Sequence, residues 1–445
     1  MEVVPRKRRP YSTLEKLEMK KTLVALAALA ATGAFAQVTI TGLLDAGPRL
    51  SNFKGNAITQ VVANNTATSN VTFLGTENLG GGLTANIRWE IDINPTQTAA
   101  MTAGTPASPD APNAGNYMGN GYSFVGLTSA SAGTLNFGTI NSGTLDANGI
   151  GNPFGTALGS GYKSLAIGAT RYQQALEYIT PTMSGFSGKY MTAFKDQYQN
   201  NGVATSFGAA NAMTTNGRDG VSEITLKYSQ GPLNVIYSNL TTTSYYAQST
   251  AALCNLKPTT LVTDVLSADT TSLAGGTGNS CVDGNQYKVS TLAANYKYNN
   301  LTGYAWFQTQ VADGQTNTVG SSLSSVLATV NRKAKGFAVK YEPNAQLTLM
   351  AGYRTIARGD TYTSISGQAT YADAQAAAGK NSTTKLIGLG ADYALSKLTS
   401  VYARYETITD DGILYNTAGV AGSGYTTGQG NGKVTNTAVG LRVAF

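Results

Sequence analysis

Apolar and polar residues alternate with a period of two along the chain from Gln37 to Phe445, and no stretch in that span sustains a helical repeat. In the clearest segment Leu83, Ala85, Ile87, Trp89 and Ile91 are separated by Thr84, Asn86, Arg88 and Glu90. A strand with that pattern turns one face to apolar surroundings and the other to water. The pattern returns at Leu292 to Tyr298, at Phe337, Val339 and Tyr341, at Ile387 to Tyr393, and at Val439, Leu441, Val443 and Phe445. Strands are predicted to begin near Val38, Asn70, Leu83, Gly121, Thr134, Arg171, Lys189, Ser222, Leu233, Lys288, Leu301, Lys335, Gln346, Thr384, Leu398 and Val434, which makes sixteen.

Such strands could also line a soluble sandwich, so the connections decide. Short turns at Glu77 to Gly82, Thr180 to Gly185, Gln230 to Pro232, Asn299 to Asn300, Glu342 to Asn344 and Leu395 to Lys397 alternate with long polar stretches rich in Gly, Asn, Ser and Thr. Connections in compact soluble domains run only ~4 to 6 residues. Short turns at one rim and long loops at the other predict an all-β fold: a sixteen-stranded antiparallel transmembrane β-barrel with short periplasmic turns and long extracellular loops. Hydrocarbon requires the closure, because an open sheet edge there leaves backbone groups without partners. Sixteen strands also leave a lumen wider than side chains can fill. Tyr228, Tyr298, Tyr341 and Tyr393 precede short turns and should form the periplasmic aromatic girdle.

Composition agrees and narrows the chemistry. Charged residues are 12% of the 445, about half the ~25% usual for a soluble chain. The chain has no His, which removes Ser/His/Asp and Cys/His catalysis and imidazole metal sites. No enzyme activity, cofactor or metal is expected. The formal charge of +7 is front-loaded: residues 1–36 hold seven basic and three acidic side chains, and no basic stripe suited to nucleic acid follows. Met19, Lys20 and Lys21, the apolar run Leu23 to Ala31 and the small-x-small site Ala34-Phe-Ala36 form a secretory signal peptide over 19–36. Residues 1–18 then read as a mis-assigned extension, with the mature barrel at 37–445. Cys254 and Cys281 share one polar segment, Thr241 to Gln286. In an oxidising compartment a disulfide between them is the favoured state, with two free thiols as the alternative.

These residues resemble the general porins of Gram-negative bacteria, specifically the beta-proteobacterial type. The resemblance is carried by Val38-Thr-Ile-Thr-Gly-Leu-Leu-Asp-Ala46, Gly75-Thr-Glu-Asn-Leu-Gly-Gly-Gly-Leu83, Phe124-Val-Gly-Leu127, Asp392-Tyr-Ala-Leu-Ser-Lys-Leu-Thr-Ser-Val-Tyr402 and Gly440-Leu-Arg-Val-Ala-Phe445. It implies an outer-membrane location among lipid and lipopolysaccharide, a homotrimer, and passive diffusion of ions and small hydrophilic solutes. It also implies an inward-folded third loop, here about 141–170, and a terminal aromatic, Phe445, read by the barrel-assembly machinery. A substrate-specific channel for an organic anion or oligosaccharide is the alternative function. A barrel enzyme would need the missing His, and an adhesin would show repeats, which are absent.

Charged wall and loop positions of the family align with Asn70, Leu74, Gly121, Thr139 and Asn152, none of them charged here. That leaves Asp146, Lys163 and Arg171 as constriction charges, a weak transverse field, and weak selectivity. Further lumen charges are Asp45, Arg88, Glu90, Arg354, Arg404 and Arg442. The arginines could guide anions or simply pair with acids such as Asp392 and Glu406. Asp45, Glu90 and Asp92 lack calcium-loop spacing and read as solvated lumen acids. Gly388-Leu-Gly390 is only superficially a nucleotide loop, since it lies in a strand pattern with no helix after it.

Because Phe445 closes the alternation that begins at Val439, its deletion should lower outer-membrane assembly while leaving export intact. Equal surface yield of the deletion and the parent would contradict this.

Overall fold

The computed structural model of the protein describes residues 37–53, 56–96, 121–160, 171–194, 199–200, 203–204, 220–243, 286–312, 315–319, 323–358, 361–363, 383–410 and 432–445. Residues 1–36, where the sequence predicts an extension and a signal peptide, lie outside the described residues.

The first half of the sheet is β1 (Gln37–Phe53), β2 (Asn70–Gly80), β3 (Leu83–Asp92), β4 (Ser123–Ser129), β5 (Gly133–Asn141), β6 (Arg171–Ile179), β7 (Phe186–Ala193) and β8 (Gly220–Gln230). The second half is β9 (Leu233–Thr243), β10 (Gln286–Tyr298), β11 (Leu301–Ala312), β12 (Leu323–Tyr341), β13 (Leu347–Arg358), β14 (Thr383–Ala394), β15 (Thr399–Asp410) and β16 (Gly432–Ala444). Each pairs antiparallel with its sequence neighbour, and β1 pairs with β16 from Leu43↔Ala444 to Phe53↔Val434, so the sheet closes on itself. At the seam Gly42 and Phe445 exchange backbone hydrogen bonds of 2.9 and 3.0 Å, and the Phe445 ring lies over the space a Gly42 side chain would need.

Parity sorts the side chains. Ile224, Leu226, Phe337, Ile387 and Val439 face outward and are about half exposed, whereas Glu223, Ser238, Leu386 and Asn436 face inward and are buried. An exposed apolar outer face is what hydrocarbon demands, and a buried inner face with polar groups needs something inside the barrel to cover it. Tyr298 and Tyr341 stand exposed at the turnward ends of β10 and β12 and Tyr393 one residue from that of β14, and Tyr228 packs on Phe186 at a ring distance of 4.6 Å. This is the girdle anticipated from the sequence.

Two strands depart from the alternation reading. β12 begins at Leu323, twelve residues before Lys335, because its first part forms a hairpin with Gln315–Val319 and also pairs with Thr361–Thr363. Its Ser- and Thr-rich sequence lacks the outward apolar series that hydrocarbon imposes. The wall beside β1 is built from two pieces. Asn56–Ala63 pairs with the upper part of β1 and β2 with its lower part, and between them residues 64–69 leave the sheet, with Asn64 at φ 63°. Asn tolerates that left-handed conformation better than most residues.

Candidate pore constriction

The segment after β5 folds across inward-facing side chains. Ser142 caps α1 (Gly143–Ile150) by accepting the Leu145 N–H at 3.1 Å. The remaining amides of that helix terminus find a carboxylate on the wall. Gly143 N–H donates to Glu223 at 2.6 Å, Thr144 N–H at 2.9 Å and the Thr144 hydroxyl at 3.0 Å, while the Ser238 hydroxyl donates to the same carboxylate at 2.6 Å. A helix N-terminus favours an anion both by its orphan N–H groups and by its dipole, so Glu223 fixes where the loop starts.

The loop then follows the wall. Asn295 donates to the Ile150 carbonyl at 2.9 Å, Arg354 donates to Asn148 Oδ1 at 2.9 Å and stacks 4.4 Å from the Trp306 ring, and Gly159 N–H donates to Glu406 at 2.8 Å. Phe154 is buried where Gly352 and Gly390 leave room, with its ring 3.1 and 3.0 Å from the position a Cβ at each would occupy. At Gly388 a Cβ would collide with the Gly159 backbone. These three glycines thin the wall for the loop.

Its far end meets the second inward segment: Leu158 N–H donates to the Asn65 carbonyl at 3.1 Å. That segment, residues 64–69, wraps over Asp45. One carboxylate oxygen of Asp45 accepts Thr66 N–H at 2.5 Å, the Thr66 hydroxyl at 2.7 Å and Ala67 N–H at 2.8 Å, and the other accepts the Tyr402 hydroxyl at 2.6 Å. Asn65 donates in turn to Tyr402 Oη at 3.2 Å. The inner rim thus runs from Glu223 through Arg354 and Glu406 to Asp45, every anchor an interior polar side chain.

Opposite this rim, on β3, β6 and β7, the charges sit in pairs. Glu90 pairs with Arg88 and, at 3.1 Å, with Arg171, which also reaches Asp92 at 2.8 Å. Lys189 reaches Asp146 of α1 at 2.7 Å and Glu177 at 3.5 Å, and the Tyr122 hydroxyl donates to Glu177 at 3.0 Å. Four carboxylates therefore face three cations, with Asp146 the most exposed of them at 44% of its side chain.

Several positions singled out from sequence play other parts than expected. Asp45 is fully buried, so it is an anchor and not a solvated acid; what covers it comes from residues 66–67 and from Tyr402, which local sequence does not show. Glu90 is likewise buried and doubly paired. Gly121 packs against the Glu90 side chain, where a Cβ would collide, and Tyr122 N–H donates to that carboxylate. Glycine at 121 therefore makes room for Glu90. Asn152 holds the loop's own turn, accepting Phe154 N–H at 3.0 Å and donating to the Gly155 carbonyl at 2.7 Å. Thr139 lies at a β-bulge next to inward Ile140, in a groove with Trp89, Val125 and Phe137, away from the lumen. Asn70 faces the lumen half-buried, donating to the Thr68 carbonyl, and Leu74 shares its face. Arg404 pairs with Asp392 at 2.7 Å, Arg354 is covered by the loop, and Arg442 stands half-buried in register with Asp45 and Ser400. Lys163, Cys254 and Cys281 lie outside the described residues.

Glu177, Lys189, Glu223 and Arg49 were not singled out from sequence. All occupy inward positions of alternating strands, and that parity was the available signal.

Asp45→Ala leaves two half-buried amides and two hydroxyls without their acceptor, each lost partner costing on the order of 1 kcal/mol. The expected outcome in planar bilayers is a noisier channel of larger mean conductance, together with a lower temperature of heat-induced mobility shift on gels. A variant with parental conductance and noise would show that residues 64–69 hold without the carboxylate.

A family model described as Gram-negative porin matches residues 22–413. Among curated protein sequences none matches the chain. Its fold is similar to that of an anion-selective porin from Comamonas acidovorans, with a TM-score of 0.62 at 18% identity over 92% of this chain and 100% of that one. It is similar also to OmpF of Salmonella typhi, solved with daunomycin, with a TM-score of 0.52 at 13% identity over 93% and 99%. The trimer form of OmpT from Vibrio cholerae gives a TM-score of 0.51 at 12% identity over 92% and 99%. A closed sixteen-stranded barrel, an apolar outer face and a family match over most of its length make this an outer-membrane channel for passive diffusion, and the chain belongs to the Gram-negative porins.

Proposed function

We propose that small hydrophilic solutes and ions pass between α1 and the wall of β3 to β6, and that the channel sorts ions only weakly. The pairing of charges along that wall carries this reading. Arg88 and Arg171 lie on Glu90 and Asp92, and Lys189 lies between Asp146 and Glu177. A paired charge presents a dipole to a passing ion, and its field decays faster than that of a single charge. Even an unpaired charge ~8 Å away acts by only ~0.5 kcal/mol in bulk water and ~2 at an effective dielectric near 20. Across the aperture Arg404 is likewise paired with Asp392, while Arg354 is buried beneath the loop against Asn148 and Trp306.

The same reading includes a homotrimer. Val38, Ile40, Phe73, Ile87, Trp89 and Val125 put apolar surface on the outer face of β1 to β4, and one of the structurally similar porins is described as a trimer. It includes export by the signal peptide at 19–36, with a mature start at Gln37. No catalytic role is assigned.

A salt-gradient reversal potential tests the selectivity. The ratio of chloride to potassium permeability should lie within about a factor of five of unity and approach it at high salt. Asp146→Asn removes the exposed partner of Lys189 and should move the ratio toward chloride by about two- to fivefold. A parent preferring chloride by more than about twentyfold, or an Asp146→Asn variant with unchanged reversal potential, would contradict a neutralised constriction.

A further inference from the structure

We infer that a cavity on the periplasmic side of the constriction loop binds a small carboxylate that carries several hydroxyl groups, a sugar acid in chemical class. The cavity measures about 490 Å³ and lies against β9 to β12, beside the short turns at Gly231, Pro232 and Asn299. Its side chains are Asn234, Asn295, Lys297, Thr302, Tyr304 and Lys340. Parity places all six inside the barrel. Asn234 shares its face with buried Ile236, Asn295 and Lys297 share theirs with buried Ala293, Thr302 and Tyr304 theirs with buried Trp306, and Lys340 its own with buried Ala334.

Register makes these residues a cradle. Lys297, Thr302 and Lys340 are successive partners across β10, β11 and β12, so two long cationic side chains flank one short hydroxyl. Strands two apart are separated by ~10 Å, which leaves room between the lysines for a small ring. A second row, one step nearer the loop, holds Asn234, Asn295 and Tyr304, again successive partners. That row touches the loop itself, because Asn295 donates to the Ile150 carbonyl at 2.9 Å. The cavity therefore begins where α1 ends.

Charge sets the class of ligand. One carboxylate serves both lysines: the two oxygens of Glu342 lie 3.6 Å from Lys297 Nζ and 3.2 Å from Lys340 Nζ. Among the described residues no second carboxylate lies within ion-pair distance of either. Two cations and one anion leave a single positive charge, which one further carboxylate would match. The Lys297 side chain is 59% exposed and that of Lys340 26%, so a solute can meet both ammonium groups from the water of the lumen.

The remaining groups ask for hydroxyls. Asn234 donates one amide N–H to Asn295 Oδ1 at 2.9 Å, and Asn295 donates one to the loop. A side-chain amide has two N–H groups, so each keeps another to offer. Together with the Thr302 and Tyr304 hydroxyls they set donors and acceptors side by side, and a sugar hydroxyl is both. A bare inorganic anion would leave the acceptors unused, and an apolar acid would desolvate them without return. The inference rests on the reading of this chain as a diffusion channel and adds to it a stopping place below the constriction.

The test is saturation-transfer NMR on the folded full-length barrel in detergent, with galacturonate as the probe and galactose and acetate as comparisons. Galacturonate should bind about fivefold or more tightly than either, since galactose lacks the charge and acetate the hydroxyls. A variant combining Lys297→Gln with Lys340→Gln should bind galacturonate about fivefold or more weakly than the parent, while Lys297→Arg with Lys340→Arg should retain it. Equal galacturonate binding by the Gln variant and the parent would overturn the inference, and so would galactose or acetate binding as tightly as galacturonate. Should the Gln variant not fold, the three probes on the parent still decide. A parent that conducts ions in planar bilayers yet leaves galacturonate unbound overturns this inference alone, whereas a folded barrel without conductance overturns the channel reading beneath it as well.

Discussion

A sheet that crosses hydrocarbon must hydrogen-bond every backbone group that lies there, and for β-strands only a closed ring does so. Closure between β1 and β16 then fixes the parity of every strand at once, because a register slip of one residue would exchange lipid-facing for lumen-facing side chains all along it. Phe337, Ile387 and Val439 are thereby committed to the lipid side, and Glu223, Arg354 and Glu406 to the interior. The ring also leaves an interior too wide for its own side chains, and that interior is where the channel acquires its individuality.

Two backbone segments enter this interior, and each brings N–H groups with no strand partner. Burying such groups unpaired is costly, so something on the wall must accept them. Three carboxylates do most of this. Glu223 takes the first amides of α1, Glu406 takes Gly159, and Asp45 takes Thr66 and Ala67. The loop and the 64–69 segment then meet through Leu158 and Asn65, so the narrow zone is a rim pinned at several points. Acidic residues that would count as ion-attracting in a charge tally are thus withdrawn from the aqueous path. The charges that remain beside it are matched with cations a few ångströms away.

The barrel was legible because hydrocarbon imposes a signal on each strand separately. The alternation in Leu83 to Ile91 or Ile387 to Tyr393 is complete within one strand and needs no knowledge of its neighbours. Where hydrocarbon stops, the signal stops, which is why the upper part of β12 read as loop. Less of the expected constriction was written locally: the segment after β5 folds onto the wall at Glu223, and Arg171, Arg88 and Glu90 are brought together on β3 and β6. Yet Asp45 is covered by Tyr402, 357 positions away, and Gly121 is explained by a side chain on another strand. Neither relation is written locally. Aligned charge positions also misled at Asn152, whose side chain shapes the turn it belongs to, and at Thr139, which a bulge sets off the lumen face. Lys189 and Glu177 were within reach of a parity argument, since they sit at inward positions of otherwise alternating strands.

Interior carboxylates lock both inward segments to the wall. Backbone amide hydrogen exchange on the folded barrel reads that lock directly, because the amides of Gly143, Thr144, Gly159, Thr66 and Ala67 donate to Glu223, Glu406 and Asp45. They should exchange as slowly as the amides of the flanking strands β5 and β2, since opening them requires disrupting the rim. Exchange of these five amides at the rate of an exposed loop, with the strands still protected, would show that the carboxylates do not hold the two segments.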